Sequence, residues 1–411
     1  MPGETYNPSS GRQFTKDGRI IDTAEVFDRM SRTFSPIDEN LSAQRTPIIQ
    51  INGCFEISEL RDDFATLNTA TITSTDSEFQ LTHNAAGDKA KFVTASRGIY
   101  QPGNAGEAGI GIQLTSDLGD DAQAEWGYID FQDANPYTVN DGAVFGKDAN
   151  GIYVSVYRSG TQETKVYREN WNISDAELDL NDVTIFQVRF TYYGGGLVEF
   201  RVRKGNTGDS VQKFETVHTY KPTGATTFGN SNLKVGGYVK SDNYSGTFDL
   251  FISGRQFAIV GLPQFRRRII SHSVTGVTVP TTGFVPIMSF RRKSGRRSLT
   301  ITPESFEVNT GNDIELRWKA NTTLTDASYK TPAGHQASET GIEVDDSATD
   351  FSNGIELDKY LAPGVSGRSK FLFTSGDIET DLPDGYNVSL VAKADSTDAT
   401  VRAIAKMVEI R

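Results

Sequence analysis

The chain has 411 residues, of which 36% are hydrophobic and 23% are charged. This length and composition exclude a disordered chain and predict two or three domains that each bury a core. A formal net charge of -12 disfavours nucleic-acid binding, and the single cysteine, Cys54, excludes an intrachain disulfide.

The N-terminal residues 1–49 are polar and irregular, with one helix signal. Asp22 and Glu25 have the spacing of a capping box, in which two side chains bond the backbone at the start of a helix. Apolar residues then follow at helical spacing, namely Val26, Phe27, Met30 and Phe34. We expect an anchoring arm with a short amphipathic helix, which docks either on a partner or on the next domain of its own chain.

Residues 50–261 show the pattern of many short strands separated by turns. Residues 197–203 alternate cleanly between apolar and charged side chains, and residues 185–190 and 153–157 alternate less strictly. The turn signals between such runs are Asp141-Gly142, Asn150-Gly151, Ser159-Gly160, Gly194-Gly195-Gly196 and Gly205-Asn206. This spacing indicates a lectin-like or jelly-roll β-sandwich.

A break near Gly261-Leu262-Pro263 precedes a second set of strands in residues 262–411. The clearest runs are residues 298–302, 313–318, 386–393 and 400–410. Ile314, Leu316 and Trp318 alternate with charged residues, so we expect these three side chains in a core. The predicted fold is therefore mainly β, with a smaller C-terminal β-sandwich after the first one and the N-terminal arm.

Aromatic and glycine-rich segments in the first predicted sandwich carry a resemblance to a known family. The segments are residues 97–103, 107–111, 124–128, 145–154, 158–161, 166–167, 171–172, 178–182, 185–187 and 193–194, and residues 317–318, 325–329 and 345–346 extend the resemblance into the C-terminal part. They resemble a domain of virion structural proteins of tailed phages and other large DNA viruses, and the similarity extends over residues 45–411. Trp126, Tyr128, Phe131, Tyr153, Tyr157 and Trp171 are too many large rings for one small surface, so we expect most of them in the core.

The resemblance implies a non-catalytic virion component, either a capsid spike or decoration or a part of the tail or baseplate. It implies other virion proteins as partners, and host attachment through a surface glycan is a further expected role. We also expect a homo-oligomer, with a trimer favoured. No segment is apolar enough to span a membrane and no signal peptide is seen, so synthesis in the host cytoplasm and a place in the virion are expected.

The alternative function is a glycan-degrading depolymerase or a carbohydrate-binding module. Glu125, Asp130 and Asp133 lie near two aromatic residues, but Glu125 and Asp130 would point to opposite faces of a strand. None of the four histidines has an acidic residue at a sequence spacing that indicates a catalytic pair. Cys54 lies in an apolar run that predicts a buried position. We therefore expect no catalytic residue.

Ligand-binding motifs for nucleotides and metals are also weak. Gly109-x-Gly111 lacks the third glycine of a dinucleotide fingerprint and is followed by strand-like sequence. Acidic residues cluster in loops, at Asp117, Asp120 and Asp121, at Asp141 and Asp148, and at Asp345, Asp346 and Asp350. None of these clusters forms an EF-hand, so we expect no cofactor, and a structural calcium ion remains an open alternative.

One cluster of basic residues contrasts with the net negative charge of the chain. Its members are Arg266, Arg267, Arg268, Arg291, Arg292, Lys293, Arg296 and Arg297. Charged hairpin tips are one interpretation, and a contact with an acidic neighbouring subunit is the other. Nucleic-acid binding is disfavoured because no aromatic residues flank the cluster and the whole chain is acidic.

Overall fold

The structure is a computed structural model. It describes residues 13–14, 20–21, 45–75, 77–173, 178–191, 196–204, 213–261, 267–296, 299–364, 369–372 and 385–410. Regular structure in these residues is almost entirely β, apart from a 3-10 turn at Arg168–Asn170, and the strands among them pair antiparallel. The described part of the chain contains no helix long and apolar enough to cross a membrane.

Two short strands, β1 (Gln13–Phe14) and β2 (Ile20–Ile21), pair with each other inside the predicted arm. The first sandwich begins at Arg45, before the predicted end of the arm at residue 49. The four apolar residues of the predicted anchoring helix, Val26, Phe27, Met30 and Phe34, lie outside the described residues.

Fifteen strands between Arg45 and Val260 build the first sandwich. They are β3 (Arg45–Ile51), β4 (Asp62–Leu67), β5 (Thr71–Ser74), β6 (Phe79–His83), β7 (Lys89–Thr94), β8 (Ala105–Gln113), β9 (Gln123–Phe131), β10 (Val139–Asp148), β11 (Gly151–Arg158), β12 (Thr161–Tyr167), β13 (Thr184–Thr191), β14 (Val198–Lys204), β15 (Lys213–Tyr220), β16 (Lys234–Lys240) and β17 (Phe248–Val260).

These strands form a seven-stranded and an eight-stranded sheet. The seven-stranded sheet has the order β12-β11-β10-β9-β16-β7-β4. The eight-stranded sheet has the order β15-β14-β13-β8-β17-β6-β5, and β3 pairs with the second half of β17. The predicted turn at Asn150-Gly151 joins β10 to β11, and Gly151 has the positive φ of 120° that such a hairpin needs.

Aromatic rings fill the space between the two sheets. Tyr128 stacks on Phe190 and Phe257 with ring centroids 5.1 and 5.2 Å apart, and Trp126 meets Phe186 edge-on at 5.1 Å. Trp126, Tyr128 and Trp171 belong to this core as expected. Phe131 and Tyr153 are also buried, but their strand positions place them on the outer face of the seven-stranded sheet, where a second apolar cluster lies.

Eleven further strands belong to the C-terminal part. They are β18 (Arg267–Val279), β19 (Val285–Arg292), β20 (Thr300–Thr310), β21 (Ile314–Ala320), β22 (Thr323–Thr325), β23 (Ile342–Asp345), β24 (Asp350–Ser352), β25 (Ile355–Ala362), β26 (Ser369–Leu372), β27 (Asn387–Ala394) and β28 (Ala399–Ile410). A four-stranded sheet, β18-β28-β20-β26, and a five-stranded sheet, β23-β19-β27-β21-β25, enclose a separate core that contains Ile314, Leu316 and Trp318. The mainly β fold with two β-sandwiches is confirmed.

Candidate functional site

The carboxylate of Glu125 is fully occupied by hydrogen bonds on the outer face of the seven-stranded sheet. Its Oε1 accepts from the hydroxyls of Tyr153 at 2.8 Å and Tyr157 at 2.9 Å and from the Gln123 amide at 2.7 Å. Its Oε2 accepts from the hydroxyl of Tyr238 at 2.7 Å. Burial, together with the neighbouring Glu125 charge, raises the pKa of the Tyr153 and Tyr238 hydroxyls, which therefore stay protonated as donors.

The other two carboxylates near Glu125 do not join it. Asp130 points to the opposite face of β9, where it forms a buried ion pair with Arg97 at 3.0 Å. Asp133 lies exposed in the loop after β9. Glu125 and Asp130 therefore do not flank a common cleft, which a carboxylate pair for glycoside hydrolysis requires.

The expectation that Cys54 is buried was wrong. Cys54 is exposed, because β3 ends at Ile51 and the following Gly53 packs against the backbone of Ser77, which turns the next residue outward. His272 has an acidic partner that sequence spacing does not reveal, since its Nε2 lies 2.9 Å from Asp346, which is 74 positions away in the chain. Its Nδ1 has no hydrogen-bond partner among the described residues, so the pair orients no nucleophile there.

The acidic loops are held by internal bonds. Asp345 accepts from the backbone N–H groups of Ser328 at 2.7 Å and Ala348 at 3.1 Å. Asp148 accepts from Lys165 at 2.6 Å, and Asp141 accepts from the Gly229 N–H at 2.6 Å. No group of three or more His, Cys, Asp or Glu side chains in the described residues could hold a metal ion.

The described members of the basic cluster lie at one end of the C-terminal sandwich. Arg268 bonds Glu339, Arg291 pairs with Glu343 at 2.9 Å, and the Lys293 ammonium donates to the Ala337 carbonyl at 3.3 Å. Arg292 is buried. The exposed cations are Arg267 and Arg296, while Arg266 and Arg297 lie outside the described residues.

A groove of about 530 Å³ crosses the outer face of the eight-stranded sheet. Its floor contains Gly109 and Gly111 of β8 and Gly254 of β17. Gly109 and Gly111 are two residues apart, so they share one face of β8. Strand β3 also borders a second cavity of about 660 Å³, which Phe55, Leu60 and Arg61 help to line.

Five residues in register form a ladder across this groove. Gly109 lies opposite Gln187 on one side and opposite Gln256 on the other. The ladder continues from Gln256 to Gln50 and from Gln187 to Arg201. A β-bulge between Ile252 and Arg255 turns Arg255 into the core and sets Gln256 on the outer face. We call Gln50, Gln256, Gly109, Gln187 and Arg201 the amide ladder.

None of the described residues packed near Gly109 requires a glycine there. A Cβ atom built there would come no closer than 4.0 Å to another atom, and the backbone φ is not left-handed. Gly106, three residues earlier and on the core face of β8, differs because its Cβ would lie 2.7 Å from the ring of Phe190. Glycine weakens a strand interior and often marks close approach of a ligand or another backbone. The outward-facing Gly109 therefore leaves space that no described residue fills.

The amides beside Gly109 have unused hydrogen-bonding groups. Gln187 is 3% exposed, and its Oε1 accepts from Arg201 at 2.6 Å, which leaves the Nε2 without an acceptor among the described residues. The side-chain amides of Gln50 and Gln256 make no hydrogen bond in the described structure. Free amides offer both donors and acceptors, so they suit a ligand rich in hydroxyl groups.

The charged side chains at the groove neutralise each other in part. Glu107 is 4% exposed and pairs with Arg45, and Arg201 lies 3.9 Å from the same carboxylate. The guanidinium of Arg201 lies 5.6 Å from the ring centroid of Phe214, which also lines the groove. The Glu107 carboxylate is therefore covered by two arginines.

Comparison with known proteins identifies no family. No family model matches the chain, and no curated protein matches its sequence. Among solved structures, arcelin-5, a lectin-like defense protein from Phaseolus vulgaris, is 9% identical, covers 53% of this chain and 99% of its own, and has a TM-score of 0.34.

Two further solved structures show similarities of the same size. A legume lectin-like domain from Entamoeba histolytica is 10% identical, covers 50% of this chain and 96% of its own, and has a TM-score of 0.31. A protein of unknown function from Shewanella oneidensis MR-1 is 9% identical, covers 61% of this chain and 100% of its own, and has a TM-score of 0.34. Similarities this low identify neither a family nor a ligand for this chain.

Proposed function

We propose that this chain is a non-catalytic carbohydrate-binding protein and that the groove across the eight-stranded sheet holds the glycan. The observation that carries the proposal is Gly109, whose missing side chain is not explained by packing or by backbone conformation. Free amides lie on both sides of this gap, at Gln187 and Gln256. The ring of Phe214 adds an apolar face against which a sugar ring can pack.

The experiment uses the full chain on an array of bacterial, plant and animal glycans, followed by calorimetry with the strongest binder. Gly109→Leu places an apolar side chain in the groove, and among the described residues only one carbonyl oxygen, at 4.0 Å, comes that near to the new Cβ. We expect at least a tenfold loss of affinity, which is about 1.4 kcal/mol. Gly283→Leu is the matched control, because its Cβ meets nothing within 4 Å.

Two results would overturn the proposal. One is a wild-type chain that binds no glycan on the array. The other is a Gly109→Leu variant that melts like wild type and binds the same glycan with unchanged affinity, since the glycan would then lie elsewhere.

A second proposal rests on the sequence resemblance of residues 45–411 to virion structural proteins. On that basis we propose that the chain is a virion component of a tailed virus and that glycan binding attaches the particle to its host. A chain that lacks residues 1–44 keeps β3 whole and should fold and bind glycan normally. It should be absent from purified particles by mass spectrometry, and its presence there at wild-type stoichiometry would contradict the anchoring role of the arm.

A further inference from the structure

We infer that the groove binds an internal segment of an extended saccharide chain that runs across the strands, rather than a single terminal sugar. This inference rests on the proposed function and adds the class of ligand. It follows from three features of the amide ladder, which are its length, the placement of its free amides and the pairing of its charges.

The length of the ladder exceeds what one sugar ring needs. Its residues lie on β3, β17, β8, β13 and β14, which are consecutive neighbours in the sheet. Four strand spacings of about 4.8 Å give the ladder a length of roughly 19 Å, perpendicular to the strands. A ligand that uses all of it must be extended and must lie across the strand direction.

The amides repeat along this line on both sides of the gap. Gln187 and Gln256 are each one strand away from Gly109, and Gln50 lies one strand further out. A sugar ring over Gly109 would approach the backbone closely and would have an amide at either end. The outer position at Gln50 is reached only by a chain that continues beyond that ring.

A saccharide fits the free groups better than a peptide does. An extended peptide usually adds to the edge of a sheet, where unpaired backbone groups meet it. On this face the backbone groups of β8, β13 and β17 are already paired with their neighbouring strands, so only side-chain amides are free. Hydroxyl groups both donate and accept hydrogen bonds, so they can use an amide in either orientation.

Charge contributes little to this mode of binding. Arg45 and Arg201 surround the buried carboxylate of Glu107, and Arg201 also holds the amide oxygen of Gln187. Arg201 therefore acts as a positioning residue that turns the Gln187 Nε2 toward the groove. Binding should depend only weakly on ionic strength, because the contacts are neutral hydrogen bonds.

The test measures affinity against chain length by calorimetry. The probes are malto-, cello-, chito- and manno-oligosaccharides of one to six units, each with the full wild-type chain. In at least one series, affinity should rise with length and stop rising once the saccharide exceeds roughly 19 Å, the length of the ladder. The monosaccharide should bind at least tenfold more weakly than the longest member.

Two substitutions separate the centre of the ladder from its end. Gln256→Ala should weaken binding about fivefold for every length that binds, since one hydrogen bond is lost. Gln50→Ala should weaken only the longer saccharides. Gln80→Ala is the matched control, because Gln80 lies on β6 opposite Phe251, off the ladder, and should change nothing.

The outcomes distinguish this inference from the proposed function. If monosaccharides bind as tightly as long chains while Gly109→Leu still abolishes binding, the extended mode is wrong and the glycan site stands. A second result has the same meaning. If none of the four oligosaccharide series binds, but Gly109→Leu blocks binding of the array glycan, the extended mode is wrong and the glycan site stands. If an extended peptide binds the groove and no glycan does, both are wrong.

Discussion

The two outer faces of the first sandwich carry similar side chains and use them in opposite ways. On the seven-stranded sheet, tyrosines and a glutamine saturate the Glu125 carboxylate with four donors. On the eight-stranded sheet, glutamines of the amide ladder flank a glycine gap and leave hydrogen-bonding groups unused. A saturated network stabilises the fold, whereas unused groups beside unfilled space are available to a ligand.

The two faces differ in how their side chains are paired, so residue type alone does not identify the binding site. The carboxylate and aromatic rings around Glu125 look more like a sugar site in the sequence than the amide ladder does. Because all four donors converge on Glu125, none of them remains for a ligand. The ladder draws its residues from five strands, and its members look unremarkable one by one.

The largest effect is expected at Glu125. Glu125→Ala leaves several buried donors without an acceptor, and we expect a loss of about 3 kcal/mol or more in the free energy of unfolding. Urea denaturation followed by fluorescence measures it. The folded fraction should bind glycan like wild type, and a variant as stable as wild type would show that the network has no structural role.

Alkaline pH should lower the free energy of unfolding through the tyrosines around Glu125 on the seven-stranded sheet. The pKa of Tyr153 and Tyr238 is raised in the folded protein above the ordinary value of 10.0, first by burial and then by Glu125. The unfolded chain therefore loses these protons first, and the free energy of unfolding falls as pH rises above about 10, by up to about 1.4 kcal/mol per pH unit for each tyrosine. Denaturation from pH 8 to 11 checks this, and Tyr238→Phe should reduce the slope. A flat profile would contradict the burial argument.

Two of the three glycines of β8, Gly109 and Gly106, should respond to alanine with opposite signs. Gly109→Ala meets no close atom and should raise the free energy of unfolding by about 0.5–1 kcal/mol, because alanine loses less conformational freedom. Gly106→Ala brings a methyl group against the rings of Phe190 and Phe257 and should lower it by about 1–3 kcal/mol. Equal effects at both positions would remove the reason for treating Gly109 as a ligand position.

The smallest effect is expected at the basic end of the C-terminal sandwich. Arg267 and Arg296 are exposed there, and we predict that they contact an acidic neighbour in a homo-oligomer, with a trimer favoured. Exposed ion pairs contribute only about 0–1 kcal/mol each, so Arg267→Glu with Arg296→Glu should weaken assembly at low salt and leave melting unchanged. Light scattering of wild type and variant measures this, and a wild-type monomer at micromolar concentration would contradict the prediction.

The sequence predicts the fold better than the site, for a physical reason. Alternation in residues 197–203 and 313–318 reports which face of a strand is buried, and β14 and β21 have those faces in the core. The amide ladder depends on which strands become neighbours, and local periodicity does not contain that information. Gly109 and Gly111 were the available signal, since residues two apart on a strand share a face.

A crystal structure of the full chain with its strongest array binder would show whether the glycan lies over Gly109. We expect density for the saccharide along the amide ladder, with a sugar hydroxyl within hydrogen-bond distance of the Gln187 Nε2 and another at the Gln256 amide. Density over Tyr157 on the seven-stranded sheet, or at loops away from β8, would contradict it.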